Sequence, residues 1–378
     1  MARKKVERNI SYDDVRGLYY VCMDMGVDSA GKRIRQYRTY TTLTSARAGL
    51  KQFIILQSQQ KLQPRCEQTL EQWLEYWLEH IVRPSRAETT TYAYERIVEN
   101  HVAPRLGLLP LSKLTPQKVQ EYYVSLARDE GLSANTIRRH HDLLSASLRS
   151  AVRHEKLRSS PMDRVEPPRS QLKEASFYDR DNLRRLYLVV EGHWLELAVK
   201  IAGGMGLRRE EICGLKWDCV NFERRVLHIR AARTTYGSNI IQKETKNRSS
   251  VRSLFLPDEL YELLLREQNR QQAQSQVRGG DYAASGHVIL DREGRPYSPN
   301  ALSLAFSRFI KKNGLPPLTL HGLRHSFATV ASAQGAPLFD IGKALGHSTP
   351  ATTGRIYTHL VDRTHEETLL RVSAALHG

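Results

Sequence analysis

The sequence predicts a multidomain, mainly helical protein with a small N-terminal domain that is built from a β-sheet and one helix. A length of 378 residues corresponds to two or three domains, at about 150 residues for each domain. Apolar residues recur at helical spacing beyond residue 69, whereas residues 16–42 are rich in the residue types of strands. Two adjacent prolines in the polar stretch VEPPRSQLKEAS, at 165–176, indicate a linker. The predicted domains are therefore residues 1–63, 64–165 and 177–378, with a linker at 166–176.

The N-terminal domain is predicted to contain two strands, at residues 16–25 and 32–42, followed by a helix at 45–60. Side chains alternate along a strand, so every second residue of the second strand lies on one face. That face carries Arg33, Arg35, Tyr37, Thr39 and Thr41. A basic and aromatic sheet face can enter a DNA groove or bind phosphates, so Arg33, Arg35 and Tyr37 are candidate DNA-binding residues. A solvated strand face without a ligand is the alternative.

Four helices with short connections are predicted in residues 64–165, which is typical of a compact bundle. The first begins at Thr69, which can cap it together with Gln72, and the others lie at 88–102, 116–131 and 133–155. Apolar positions at helical spacing face the core, among them Ile137, Leu144, Leu148 and Val152 of the last helix. Arg138 and Arg139 on the same helix can point outward, and they are candidate DNA contacts.

The composition favours a polyanionic partner. Lysine and arginine number 57 against 40 aspartate and glutamate residues, which gives a net charge of +17. No run of about 18 apolar residues exists and the charged start MARKKVERN precedes no apolar stretch, so we expect neither a membrane span nor a secretory signal. The cysteines have neither disulfide nor zinc-site spacing, which fits a reducing cytoplasm. They are Cys22, Cys66, Cys213 and Cys219.

Candidate catalytic residues follow one another in a fixed order in the last domain. Arg208 lies in GLRREEI, and Lys246 lies in residues 240–257, which predict a β-hairpin with this lysine at its turn, after a short strand at 226–230. His321 and Arg324 lie in HGLRHSFA, three apart on a helix that Thr319 can cap, so they project from the same face. His347 lies in LGHST, and Tyr357 follows it by ten residues.

These residue types suit attack on a phosphodiester. Guanidinium groups of Arg208 and Arg324 can bind the non-bridging oxygens and stabilise a pentacoordinate transition state. The Tyr357 hydroxyl, with an ordinary pKa of about 10, must lose its proton as it attacks, and His321 is the candidate acceptor. His347 can hydrogen-bond to the phosphate or the nucleophile, and Lys246 can protonate the departing 5′ oxygen. None of these steps needs a metal ion. Each residue alone also has an ordinary structural interpretation, and the ordered set carries the weight.

The ordered set resembles the tyrosine recombinase (phage integrase) family. GLRREEI matches the family's first arginine box, HGLRHSFAT its second box, and LGHSTPATTGRIYTHL its segment from histidine to nucleophile. The resemblance covers residues 177–378 as the catalytic domain. The four-helix segment resembles the family's core-binding (SAM-like) domain. Residues 1–63 resemble the three-stranded arm-type DNA-binding domains of phage and conjugative-transposon integrases.

The resemblance implies a role for each matching residue. Tyr357 is the nucleophile, Arg208 and Arg324 hold the phosphate, and His321 and His347 are the acid–base and hydrogen-bonding partners. Glu211 matches an acidic position that supports the site, although an ordinary surface glutamate is the alternative. Lys246 matches the catalytic lysine, and Lys243 stays open for that role.

The implied function is that of a DNA integrase without a cofactor, metal or ATP. It cleaves and rejoins DNA through a 3′-phosphotyrosyl intermediate and a Holliday junction, as a homotetramer on core and arm sites. An excisionase and a DNA-bending protein are the expected accessory partners, and the bacterial cytoplasm, at the nucleoid, is the expected location. A helix at residues 362–376 is expected to pack on a neighbouring protomer or in cis. The alternatives are a type IB topoisomerase-like nicking and closing enzyme and a non-catalytic DNA-binding regulator.

Overall fold

The N-terminal part of the protein is a four-stranded antiparallel sheet with one helix. The computed structural model describes residues 3–27, 33–61, 68–170, 176–244, 251–346 and 373–376. Strands β1 (Lys4–Glu7), β2 (Ile10–Asp13), β3 (Leu18–Val27) and β4 (Arg33–Tyr40) pair in chain order, and helix α1 spans Leu43–Lys61. The sequence predicted β3, β4 and α1, but it missed β1 and β2. The resemblance to three-stranded arm-type domains implied three strands, and this was wrong, because the sheet has four. The two missed strands have four residues each, too few to show a clear alternation.

One face of this sheet is buried and the other is exposed. Ile10, Val21 and Met23 pack with Ala46 of α1 and form a small core. On β4, Arg35, Tyr37 and Thr39 are exposed as predicted, and Tyr37 lies opposite Cys22 of β3. On the same face, the guanidinium of Arg3 stacks 3.7 Å above the ring of Tyr20. Arg33 is the first residue of β4. The free face is thus basic and aromatic along its described length.

Residues 69–153 form the four predicted helical segments. α2 (Leu70–Trp77) continues through a π-helical turn, Leu78–Val82, into the short α3 (Arg83–Ser85). α4 (Glu88–Ile97) continues as a π-helix to Gly107, beyond its predicted end, and contains Pro104. α5 spans Pro116–Glu130 and ends at Gly131, whose φ of 63° suits glycine. α6 spans Ala134–Arg153. At α2 the capping box of Thr69 and Gln72 is present, as predicted.

Helices α2 and α6 contribute large side chains to the core of this bundle. The indole nitrogen of Trp73 donates a hydrogen bond to the carbonyl of Ser147, at 3.1 Å. Leu144 and Leu148 are fully buried, as predicted. Arg138 and Arg139 are exposed on the outer face of α6, and Arg138 also donates to the carbonyl of Pro168 at 3.3 Å. The bundle therefore presents the two arginines to solvent.

The chain separates into two compact units, Met1–Gln171 and Leu172–Gly378. The second unit begins with α7 (Arg180–Val190), α8 (Glu196–Met205) and α9 (Arg209–Gly214). Five strands follow, β5 (Val220–Asn221), β6 (Val226–Ile229), β7 (Ala231–Tyr236), β8 (Asn239–Glu244) and β9 (Arg252–Phe255). Helices α10 (Asp258–Arg278), α11 (Pro299–Lys312), α12 (Leu320–Ala333) and α13 (Leu338–Leu345) complete this unit as far as residue 346. A large apolar core includes Phe306 and Leu323, and a smaller cluster joins Ile341 and Leu345 of α13 to Ala328 of α12.

The predicted hairpin within residues 240–257 was wrong. β8 pairs with the preceding strand β7, because a two-residue turn with Gly237 at a φ of 55° joins them. β9 pairs instead with β6, so a three-stranded sheet forms in the order β5-β6-β9. The β6 strand itself was predicted. Lys246 therefore belongs to a segment between strands of two different sheets, and it lies outside the described residues.

Along the described ranges, no helix has the length and apolar character that a bilayer-spanning segment requires. Cys22, Cys213 and Cys219 are free thiols, and Cys66 lies outside the described residues.

Candidate active site

Helix α12 carries the predicted His-x-x-Arg pair. The side chain of Thr319 accepts a hydrogen bond from the backbone N–H of Gly322, at 3.0 Å, and so caps the helix as predicted. His321 is exposed in the first turn, whereas the side chain of Arg324, one turn later, is buried at 3 % exposure. The imidazole of His321 therefore faces solvent, whereas the charged guanidinium of Arg324 lies in the interior.

Arg208 directly precedes helix α9 as its N-cap residue, and Glu211 holds it in place. The backbone N–H of Arg208 donates to one carboxylate oxygen of Glu211, and its Nη1 donates to the other, both at 2.8 Å. Glu211 is only 2 % exposed, so the interpretation as an ordinary surface glutamate was wrong. Burial alone would raise the pKa of this carboxyl, but the hydrogen bond and charge of Arg252 and then the contacts of Arg208 lower it. Glu211 is therefore a buried carboxylate that two arginines keep charged.

Arg252 is the residue of this site that the sequence analysis missed. Its Nη1 and Nη2 donate to the two carboxylate oxygens of Glu211, at 3.0 and 2.9 Å. Its Nε donates to the carbonyl of Ala344 at 2.6 Å. The alternation along β9 was the available signal, because it places Arg252 on the same side of the strand as the partly buried Leu254.

Three arginines converge on the end of α13. The carbonyls of Ala344, Leu345 and Gly346 are consecutive, and each accepts a hydrogen bond from a different guanidinium group. The donors are Arg252 Nε at 2.6 Å, Arg324 Nη2 at 2.7 Å and Arg208 Nη2 at 3.1 Å, respectively. The structure therefore brings Arg208 and Arg324 to two neighbouring carbonyls, those of Gly346 and Leu345, directly before His347.

A glycine makes the close approach of these elements possible. Nη1 of Arg324 donates to the carbonyl of Gly206 at 2.7 Å, and Gly206 has a φ of 68°. A Cβ atom at this position would lie 2.6 Å from a methyl carbon of Leu345 and 2.7 Å from the ring of Phe327. Only glycine fits here, both in conformation and in space.

Three guanidinium groups lie close together at this site. Those of Arg208 and Arg252 contact the carboxylate of Glu211, and that of Arg324 binds the carbonyl of Leu345 beside them. The side chain of Arg208 is 31 % exposed, so solvent or a ligand can reach it. An arrangement of this kind favours binding of an anion, and the fork of an arginine suits a phosphate in particular.

A cleft of about 380 Å³ adjoins the exposed imidazole of His321. Its polar lining includes Arg209, Glu210, Ser303, Ser307 and Thr319. Partial removal from water and then the charge of Arg324 lower the pKa of His321. The ring of His325 packs edge-on against that of His321, with centroids 4.7 Å apart, and burial lowers the pKa of His325 to about 4. Both imidazoles are thus neutral at neutral pH.

The remaining predicted catalytic residues, Lys246, His347 and Tyr357, lie outside the described residues. Lys243, the open alternative, lies in β8 opposite Ala232. Among the described residues, no group of three His, Cys, Asp or Glu side chains is placed to hold a metal ion. Of the predicted helix at 362–376, only residues 373–376 are described, and they are helical.

Two family models match this chain. Residues 177–364 match the model described as "Phage integrase family", and residues 69–127 match "Phage integrase, N-terminal SAM-like domain". The chain belongs to the phage integrase family of tyrosine recombinases. The first match includes Arg208, Arg252, Arg324 and Tyr357, and the second extends from the start of α2 into α5.

Similar proteins include recombinases of several origins. A "Tyrosine recombinase XerC-like" protein of Caldanaerobacter subterraneus subsp. tengcongensis is 25 % identical over 364 residues, covering 91 % of this chain and 93 % of that protein. The "ICEBs1 integrase" of Bacillus subtilis is 22 % identical over 273 residues, covering 72 % and 74 %.

Solved structures of integrases share the fold. A fragment of the Tn1549 transposon integrase in complex with transposon right end DNA has a TM-score of 0.69 at 22 % identity, covering 81 % of this chain and 99 % of that chain. A lambda integrase tetramer bound to a Holliday junction has a TM-score of 0.56 at 19 % identity, covering 92 % and 97 %.

Proposed function

We propose that this tyrosine recombinase is an integrase that breaks and rejoins DNA at specific sites and so inserts and excises a mobile element. The convergence of Arg208 and Arg324 on the neighbouring carbonyls of Gly346 and Leu345 carries the proposal. It places two guanidinium groups directly before the segment that contains His347 and Tyr357. Integrases of conjugative and phage elements among the similar proteins support the same function.

In the proposed reaction, the Tyr357 oxygen attacks the phosphorus of a DNA phosphodiester, and the bond to the 5′ oxygen breaks. His321 accepts the phenolic proton, and Lys246 (or Lys243) gives a proton to the departing 5′ oxygen. Arg208 and Arg324 stabilise the added negative charge, while His347 hydrogen-bonds at the same phosphate. The 3′-phosphotyrosyl bond conserves the energy of the broken bond, so a 5′-hydroxyl of the partner strand can reverse the step without ATP.

The proposed role of His321 predicts a defined pH dependence. The pKa of His321 is lowered from its ordinary value of 6.5. The imidazole therefore stays neutral, and able to accept a proton, at a lower pH than an ordinary histidine does. Glu210 raises this pKa and Arg209 lowers it, so Glu210→Gln should move the acid limb of the cleavage rate to lower pH. Arg209→Gln should move the limb to higher pH. Single-turnover cleavage between about pH 5 and 8 measures both shifts. Glu267→Gln is the control and should leave the limb in place; shifts of the opposite sign would exclude His321 as the acceptor.

We propose that four protomers exchange strands through a Holliday junction. The lambda integrase tetramer on such a junction, which shares this fold, supports this assembly. An excisionase and a DNA-bending protein are the proposed accessory partners, and the proposed location is the bacterial nucleoid. The four-helix domain, with Arg138 and Arg139 on its outer face, is the proposed core-site contact together with the catalytic domain.

The exposed face of β4 is proposed to bind a second DNA site. Arg35 and Tyr37 are exposed there, and Arg33 lies in the same strand. Deletion of residues 1–63 should reduce arm-site binding by at least about tenfold while core-site cleavage stays within a factor of about three. Gel-shift and cleavage assays on separate DNA fragments measure the two effects. Loss of core cleavage in a folded truncated protein would contradict the separation of the two sites.

A covalent trap tests the proposed function. The full chain is incubated with a pool of randomised duplexes that carry a nick, so that the 5′-hydroxyl fragment diffuses away after cleavage. We expect adducts that survive denaturation, and sequencing of the trapped DNA identifies the core site. Plasmids with two such sites should then recombine. Absence of adducts would overturn the proposal, and relaxation of plasmids without site preference would favour the topoisomerase-like activity instead.

A further inference from the structure

The carboxylate of Glu211 is saturated with hydrogen bonds from two arginines. Each of its two oxygens accepts one bond from Arg208 and one from Arg252, and all four lengths lie between 2.8 and 3.0 Å. Arg252 supplies two parallel bonds, the geometry that fixes both the plane and the direction of a carboxylate. Arg208 supplies one bond from its backbone and one from its side chain. The orientation of Glu211, and with it that of Arg208, therefore depends on Arg252.

The remaining donor, Nε of Arg252, binds a different element, helix α13. This nitrogen contacts the carbonyl of Ala344, the first of the three consecutive carbonyls at the end of α13. One side chain thus joins β9, α9 and α13, which are far apart in sequence. The side chain of Arg252 is only 6 % exposed, whereas that of Arg208 is 31 % exposed. DNA can reach the second group but not the first.

We propose that Arg252 is a positioning residue of the cleavage step: through the carboxylate of Glu211 it sets the guanidinium of Arg208, and it does not touch the DNA. This inference rests on the proposed function. Misplacement of a reacting group by about 1 Å can cost about 100-fold in rate, so a residue with no DNA contact can control cleavage. A lysine cannot replace the fork, because its ammonium group cannot bind both carboxylate oxygens and the Ala344 carbonyl together.

The test compares Arg252→Lys with the wild-type chain on DNA that the wild type has trapped. Single-turnover adduct formation should fall about 10- to 100-fold, while the DNA dissociation constant stays within about a factor of two. Arg252→Lys keeps the buried positive charge. If the Arg252→Ala protein folds, its rate of adduct formation is measured in the same assay. Lys200→Met is the matched control, because Lys200 is a buried cation that pairs with Glu196 and Glu259, both at 2.8 Å, elsewhere in the same unit. The control should lower the melting temperature and leave the adduct rate within about threefold.

A double variant separates positioning from general destabilisation. If Arg252 acts through Arg208, the Arg208→Ala/Arg252→Lys protein should cleave no more than about threefold slower than Arg208→Ala alone. Multiplicative losses, an unchanged rate in Arg252→Lys, or an equal loss in Lys200→Met would each overturn the inference while the proposed function stands. A wild-type chain that forms no adduct overturns the proposed function, and the inference falls with it.

Discussion

Replacement of Tyr357 by phenylalanine is expected to abolish the covalent protein–DNA adduct. The substitution removes one hydroxyl group, and the proposed reaction has no other oxygen to form the 3′-phosphotyrosyl bond. Cleavage should fall by on the order of 10⁴-fold or more, to below detection on a denaturing gel of end-labelled DNA. Binding of the same DNA should be retained, because the proposed phosphate contacts of the arginines do not involve this hydroxyl.

Tyr261→Phe is the matched control for this experiment. The ring of Tyr261 packs beneath the guanidinium of Arg225, at 4.8 Å, and this contact needs the ring rather than the hydroxyl. The control should therefore cleave as the wild type does. An adduct that persists in Tyr357→Phe would place the nucleophile on another residue, and mass spectrometry of the trapped peptide would identify it.

Removal of the Arg324 guanidinium is expected to have the second largest effect. Arg324→Ala deletes one of the two groups that we propose to stabilise the transition-state charge, so cleavage should fall by on the order of 10³-fold. It also leaves the carbonyls of Gly206 and Leu345 without their donors in a buried place. The free energy of unfolding should decrease by about 3 kcal/mol, because unsatisfied buried carbonyls are costly. Single-turnover cleavage and urea unfolding measure the two losses separately.

Arg324→Lys and Arg270→Ala complete this comparison. The lysine variant keeps the charge but cannot donate to both carbonyls, so we expect a smaller loss of stability and a large loss of rate. Arg270 pairs with Glu267 on α10, away from the site residues, and its replacement should leave cleavage unchanged. Wild-type cleavage by a folded Arg324→Ala protein would show that this buried arginine does not serve the reaction.

The parts of the fold that local sequence determines were predictable. Thr69 with Gln72 and Thr319 mark helix starts, because a cap needs only side chains within one turn. The same locality explains why the spacing of His321 and Arg324 indicated a shared helix. Their different burial was not predictable, since it depends on what packs against each side of α12.

Pairing between distant segments was the part that sequence reasoning could not determine. The run in β8 pairs with β7 because of the Gly237 turn, and not with the equally β-capable run in β9. Glu211 could be recognised as a candidate, but its burial requires knowing that Arg252 lies opposite it. That contact joins residues 41 positions apart, so no local pattern reveals it.

The arginines at the end of α13 bind main-chain oxygens. Their placement therefore depends on the backbone of that helix and not on its side chains. Phe339 and Lys343 are exposed on α13 and take no part in these bonds. A library that randomises these two exposed positions should therefore change the outer surface of α13 without lowering the cleavage rate. Evolution and engineering can use the same freedom, provided that the course of the backbone and the small residue at 206 are kept.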